Sequence, residues 1–391
     1  MIQEVLLLLP YIAAMKKSFC IALLFLGTFP AVAQLDNTAF DQFQPLVPRD
    51  SNALLLGMNM LGFNKNNEYF NDIADGLTLF GYQFNPYFSY QVGSRFKVSG
   101  GIYLQQDFGN DDFNEVAPVF TLSYELLGGR VIFGTLEGST SHRLVEPLYD
   151  FERVLIDRLE NGFQFKIERP RLFLDLWVDW QNMIYPGDND QEEVTAGLSL
   201  NKQLRDGSTK VEFPLQALVF HRGGQVDTSP LPLQTYFNSA VGGILERTLP
   251  GKPFVRSFKL EGYHIYYRDF SSTQLQAYQD GTGLYLNASI KTRVHLDVMA
   301  SYWRGNEFIS ITGGQLYPSV SSTVGDPLAL EPDRQLLILR FMHELKLAEN
   351  ISISTRFEPY YDVENSLFEF SHGFYVNYTP QFFITRVKDH R

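Results

Sequence analysis

The stretch Gly138-Ser139-Thr140-Ser141-His142 puts two serine hydroxyls within three residues of an imidazole. Serine and histidine are the nucleophile and base of acyl transfer. That chemistry needs a fold that brings the base to the nucleophile and a third group that orients the base. A Ser-x-x-His spacing inside one connection supplies neither, so the stretch reads as a connection and not as a catalytic centre. Asp175 and Asp179 flank Trp177 in LFLDLWVDWQN, residues 172–182. On a strand their Cα atoms stand about 13–14 Å apart. That is too far for a glycosidase pair, although a tryptophan between acids suits a sugar-stacking rail. His295 and Asp297 are two metal-binding types, and two ligands do not make a site. A glycine-rich phosphate loop and a helical His-Glu-x-x-His motif are both missing. The expectation is a protein that is not an enzyme, with no catalytic residue, no metal and no cofactor.

The elements that carry these residues are strands. In 172–182 the even positions Leu172, Leu174, Leu176, Val178 and Trp180 are apolar, while the odd ones include Asp175, Asp179 and Gln181. A period of two gives a strand with two different faces. The same alternation recurs at 96–107, 194–201, 284–291, 294–303 and 351–358, and about sixteen such segments fill the chain. The connections alternate as well. Short ones rich in Gly, Pro, Asn or Asp (92–95, 127–130, 204–208, 250–253, 347–350) take turns with long ones (64–76, 140–161, 182–192, 222–233, 305–333). A soluble sandwich has no reason to do this. An up-and-down barrel in an outer membrane does, with short periplasmic turns and long extracellular loops. A soluble exported sandwich or propeller is the rival, and a propeller should repeat at a fixed period, which this sequence does not.

The chain's start fits export. Residues 1–14 read as a misassigned upstream start. Residues 15–33 read as a signal peptide: Lys16 and Lys17, the apolar run FCIALLFLGTF, then Ala31-Val32-Ala33 before Gln34. The single cysteine, Cys20, leaves with that leader, so neither disulfides nor a thiolate site is expected. Residues 34–51 read as a short periplasmic segment, 52–380 as the barrel and 381–391 as a tail. The net charge of −12 excludes a nucleic-acid partner, which would want a basic patch. A mean hydropathy of −0.13 is compatible with a barrel whose strands give half their residues to a polar lumen.

Near the end, Ser371-x-Gly373-x-x-Val376-x-Tyr378 resembles the polar-x-Gly-x-x-apolar-x-apolar signal that closes outer-membrane barrels. The chain as a whole resembles Gram-negative porin-like barrels over about 52–380, by architecture and not by a family motif. The resemblance implies location in the cell outer membrane, contact with its lipid, and recognition by the barrel-assembly machinery. Such chains commonly end on an aromatic residue, whereas here PQFFITRVKDHR follows. Either this is a periplasmic tail, or the closing strand lies in 381–387 and the count shifts by one.

A barrel of about sixteen strands is wide enough for water unless plugged, and balanced charge keeps a pore wetted. The expected function is a passive pore for small polar solutes, open to homo-oligomerisation. The alternative is a non-conducting barrel that serves as a scaffold or binds surface polysaccharide or a partner through 140–161 and 305–333. An outer-membrane enzyme ranks third. The segment 142–162 carries Leu148, Phe151, Leu155 and Leu159 at helical spacing, which predicts a short helix that folds inward and narrows the bore, packs on a neighbouring chain, or lies across the mouth as a lid. Lumen and constriction candidates are Asp150, Glu152, Arg153, Asp157 and Arg158 on that segment. On the wall they are Asp175, Trp177, Asp179, Arg340, Arg356 and Glu358.

Overall fold

Alternating side chains build a wall when each strand pairs on both edges, and here every strand does. The computed structural model describes residues 37, 40–42, 46–224, 226–251 and 254–387; the expected upstream start and signal peptide lie outside them. The wall begins with β1 (Ala53–Glu68), β2 (Thr78–Val92), β3 (Phe96–Asp107), β4 (Glu115–Leu126), β5 (Gly129–Thr135) and β6 (Asn161–Arg169). It continues with β7 (Leu172–Asn182), β8 (Glu193–Arg205), β9 (Thr209–Arg222), β10 (Gln234–Thr248), β11 (Val255–Asp269) and β12 (Asp280–Thr292). β13 (Leu296–Asn306), β14 (Asp333–Ala348), β15 (Ile351–Asp362), β16 (Leu367–Tyr378) and β17 (Gln381–Arg386) complete it. Neighbours in sequence pair antiparallel throughout, and the last strands return to β1.

The closure explains the strand count. Met60–Glu68 of β1 pairs with Phe370–Tyr378, and Ala53–Gly57 pairs with Gln381–Arg386. β16 and β17 are therefore one wall strand, interrupted at Pro380, whose missing N–H cannot enter a ladder. Its carbonyl still accepts the Met58 N–H at 3.2 Å. The chain is an all-β, antiparallel closed barrel of sixteen wall strands. The expected tail at 381–391 is corrected over Gln381–Arg386, which is wall. In β16, Gly373 lies beneath the Tyr375 ring, whose hydroxyl would stand 2.3 Å from any Cβ placed there.

The wall keeps the period of two. Phe173, Asp175, Trp177 and Asp179 of β7 are buried in the lumen, while Leu176 and Trp180 stay 40% and 45% exposed on the outside. Apolar side chains cover that outer surface on strand after strand, among them Leu284, Leu286, Leu337, Leu339 and Phe374. Such a surface needs lipid around it. The short turns hold residues with suitable backbones: Leu127 and Gly128, between β4 and β5, both adopt positive φ, the two-residue hairpin geometry.

Candidate functional site

The lumen is filled. Two long connections, 136–160 between β5 and β6 and 307–332 between β13 and β14, fold into the barrel and pack on each other. The Asp150 N–H donates to the Thr312 carbonyl at 2.8 Å, and the Gly314 N–H to the Glu146 carbonyl at 2.9 Å. Val145, Leu148, Tyr149, Phe308, Ile309 and Tyr317 from these connections form one buried cluster with Trp177, Tyr263, Tyr285 and Trp303 of the wall. Leu155 and Phe151 join a second cluster with Leu61, Phe63 and Tyr375. The expected helix is short: α1 spans Arg153–Ile156, and Ser139–His142 forms a 3-10 turn. Gln83 and Gln105 of the wall donate to the Val154 and Leu155 carbonyls at 2.8 Å each. That satisfies a chain which leaves its helix after four residues.

At the bottom of the 136–160 connection, His142 is fully buried between two carboxylates. Its Nδ1 lies 2.9 Å from Asp175 Oδ2 and its Nε2 lies 2.8 Å from Glu160 Oε2. Its ring stacks on Trp177 at 3.7 Å between centroids, and Trp177 in turn lies over Gly197 of β8, where a Cβ would stand 2.1 Å from the indole. Burial pushes the imidazole toward its neutral form. The Glu160 charge, then that of Asp175, outweighs burial and raises its pKa to about 9. Burial likewise opposes the Glu160 charge, and His142 overrides it, holding that pKa down to about 2. An imidazolium with both nitrogens donating cannot accept a proton from serine. Ser139 lies in the left-handed region at φ 59°, its N–H donating to Glu160 at 2.7 Å, and its buried hydroxyl has no hydrogen-bond partner. Ser141 donates to the Glu137 carbonyl. The Ser-x-x-His stretch is a clamp that ties the connection to the wall.

The other candidates make contacts within the filling, within the wall, and between the two. Asp150 accepts the Glu152 N–H at 3.0 Å, and Glu152 meets Lys65 at 3.1 Å. Arg153 pairs with Asp157, and Arg158 donates to the Phe40 carbonyl at 2.5 Å. Asp179 accepts the Asn161 N–H at 2.7 Å. Arg340 binds Glu358 at 3.1 Å and also Glu146, which accepts from Tyr317 at 2.6 Å. Arg356 stacks on Phe151 at 3.9 Å. Glu146 and Lys65 were not singled out from sequence, because acids and lysines are ordinary in loops and lumens. The expected periplasmic placement of 34–51 is corrected at Phe40. Phe40, 2% exposed, lies inside the barrel, edge-on to Phe151 and Tyr375 at 5.0 Å each.

The wall itself has a notch. β5 has 7 residues and β6 has 9, against 16 in β1 and 15 in β2. β4 pairs with β5 only over Thr121–Leu126, and β7 with β6 only up to Asp179. Glu115–Val119 of β4 and Trp180–Asn182 of β7 therefore border a gap at the long-loop end, roughly 17 Å tall on the first rim and roughly 10 Å on the second at the rise of a strand. Behind it stands the end of α1, with Ile156 45% exposed and the Asp157 side chain half exposed. Glu115 begins β4 on one rim and Asp179 lies at the last β6 pairing of β7 on the other. At the foot of the notch lies a cavity of about 160 Å³, bordered by Phe120, Leu136, Leu159 and Phe40 and also by polar side chains, among them Asn59, Asn85, Lys97 and Glu137. A second cavity, about 320 Å³, lies deeper, between the filling and Lys259, Asn287 and Lys291. Among the described residues, no cluster of histidine, cysteine and acids could hold a metal.

Solved structures of similar fold are outer-membrane barrels. OmpT of Vibrio cholerae matches with 12% identity and a TM-score of 0.49, covering 84% of this chain and 98% of that one. OprD of Pseudomonas aeruginosa matches with 9% identity and a TM-score of 0.48, covering 85% and 97%. OccK11 (OpdR) of Pseudomonas aeruginosa matches with 11% identity and a TM-score of 0.47, covering 88% and 100%. No curated protein sequence matches. A family profile described as lipid A 3'-O-deacylase-type matches residues 46–387, nearly the whole barrel. That match overturns the expectation that the chain is not an enzyme.

Proposed function

Because the chain belongs to the lipid A 3'-O-deacylase-type family, we propose that it is an outer-membrane ester hydrolase that draws a lipid A acyl chain sideways from the outer leaflet through the notch between β4 and β7. The observation that carries this reading is the notch with a cavity at its foot. A closed wall offers a lipid no entry, and a barrel sealed at its centre has little use for a gap. With the long loops outward, the mouth of the notch stands at the level of lipid headgroups and its foot at the level of acyl tails. The tail then enters the cavity, and the ester stays near the mouth beside Asp157, Glu115 and Asp179. In the reaction, water adds to the ester carbonyl and the acyl C–O bond breaks, leaving a fatty acid and a sugar hydroxyl. A carboxylate at the mouth takes the proton from the attacking water, and Asp157, half exposed at the end of α1, is the candidate.

The filled lumen favours a barrel that does not conduct, in preference to a pore. A second reading follows from the clamp on His142: with no hydroxyl–imidazole pair formed, the barrel holds lipid A without cleaving it. Incubating the purified protein with lipid A and reading the products by mass spectrometry separates the two. Loss of one acyl mass, abolished by Asp157→Asn, supports hydrolysis at the mouth. Lipid A that copurifies intact supports holding. Neither loss nor retention overturns both.

A further inference from the structure

The cavity at the foot of the notch ends on a residue from the other end of the chain. Phe40 belongs to the N-terminal segment, yet it forms part of the wall of that cavity, and on its far side it lines another of about 60 Å³ with Met342, Ser354 and Arg356. Its neighbour Asp41 lines both the notch cavity and the deeper one of about 320 Å³. Two residues therefore partition three spaces.

They are held firmly. Besides the Arg158 bond to its carbonyl, Phe40 is buried in an aromatic box with Phe151 and Tyr375, and the Arg356 guanidinium sits 5.0 Å from its ring centre. Arg356 also donates to Asn37 Oδ1 at 2.5 Å, and Thr140 donates to Asp41 Oδ1 at 3.1 Å. Thr140 follows Ser139, so the segment is bonded to the connection that forms the cavity's other side. Near the short-turn end, Gln91 of β2 brackets Val47, accepting its N–H at 3.2 Å and donating to its carbonyl at 3.1 Å. Phe40 and Asp41 are thereby tied to both the wall and the filling.

We infer that Phe40 is the end stop that sets how long an acyl tail the notch cavity accepts. The inference rests on the proposed acyl entry through the notch. A tail that grows inward from Phe120 passes Leu136 and Leu159 and meets the Phe40 ring. Each methylene buried before the ring adds about fourfold to binding, and methylenes beyond it add nothing. Removing the ring joins the notch cavity to the 60 Å³ space beyond, so longer tails gain a place to go.

The test uses the full chain, purified in detergent and irradiated with a homologous series of fatty acids bearing a photoreactive diazirine at the tail end. Labelled peptides are read by mass spectrometry. The chain with Phe40 intact is expected to be labelled within 119–141 and at Phe40, with a chain length above which labelling stops rising. In Phe40→Ala that limit should move to longer tails, with label appearing at Met342 or Ser354, and in Phe40→Trp it should move to shorter ones. Folded protein is selected by its heat-dependent mobility on gels, and Phe40→Val replaces the alanine variant if that one does not fold. An unchanged limit in the folded variants overturns the stop and leaves acyl entry standing. No label in the cavity of the unaltered chain overturns acyl entry itself.

Discussion

At the scale of the residue, His142 shows how one side chain is defined by what surrounds it. Its raised pKa means that the folded state holds the proton more tightly than the unfolded chain, whose histidine titrates near 6.5. The stabilisation is therefore complete below about pH 6.5 and is lost as pH rises through about 9. Limited proteolysis of the 136–160 connection should accelerate across that window, and His142→Gln should remove the pH dependence. A flat profile in the unaltered chain would refute the clamp. The outer wall supplies a second residue-scale expectation. Leu286 faces lipid near the middle of β12, and its neighbour Asn287 lines the deeper lumenal cavity. Arginine at Leu286 should cost roughly 2–4 kcal/mol of folding stability. Arginine at Asn287, with Glu261 beside it, should cost far less, as urea titration in detergent would show.

At the scale of the element, the two inward connections decide whether the barrel conducts. Each buries large side chains against the other and against the wall, and burying one such side chain is worth about 1.5–3 kcal/mol. Removing 144–157 alone leaves 307–332 in place, whereas removing the inner parts of both empties the middle of the lumen. In planar bilayers the unaltered chain should be silent, the single deletion should give small or rare steps, and the double deletion large ones. Conductance in the unaltered chain equal to that of the double deletion would contradict the filled lumen. The short strands β5 and β6 are the complementary element. Because they stop early, the chain after Thr135 turns inward, and one deviation yields both the 136–160 half of the filling and the notch.

At the scale of the whole molecule, the barrel is closed by its ladder, the two inward connections pack inside it, and its wall has a notch between β4 and β7. A cysteine pair bridging the rims, for instance Pro118→Cys with Trp180→Cys joined by a bifunctional reagent, should leave the fold intact by gel mobility and stop lipid A turnover or retention. Normal lipid handling in the bridged protein would move the site away from the notch. Orientation follows the same logic. Protease sites inserted at 363–366 should be cut on intact cells, and those at 204–208 should not.

Much of this was written in the local pattern. Period-two alternation, alternating connection lengths and the Ser371–Tyr378 signal made a sixteen-strand outer-membrane barrel legible, because strand faces depend on near neighbours and on the surrounding medium. The apolar stripe of 142–162 likewise signalled a segment that must bury itself. Tertiary structure alone decided where it buries, since Glu160 and Asp175 meet His142 only once β7 curves round to the connection. The notch escaped sequence because β5 looks like any short strand until its missing pairs are counted against β4. Pro380 hid the last stretch of wall, since a proline break resembles a strand's end unless β1 is seen pairing across it. Phe40 was out of reach for the same reason: nothing near it in the chain reveals that Phe151 and Tyr375 wait for it inside the barrel. Contacts between residues far apart in sequence depend on closure, and closure is a property of all sixteen strands together.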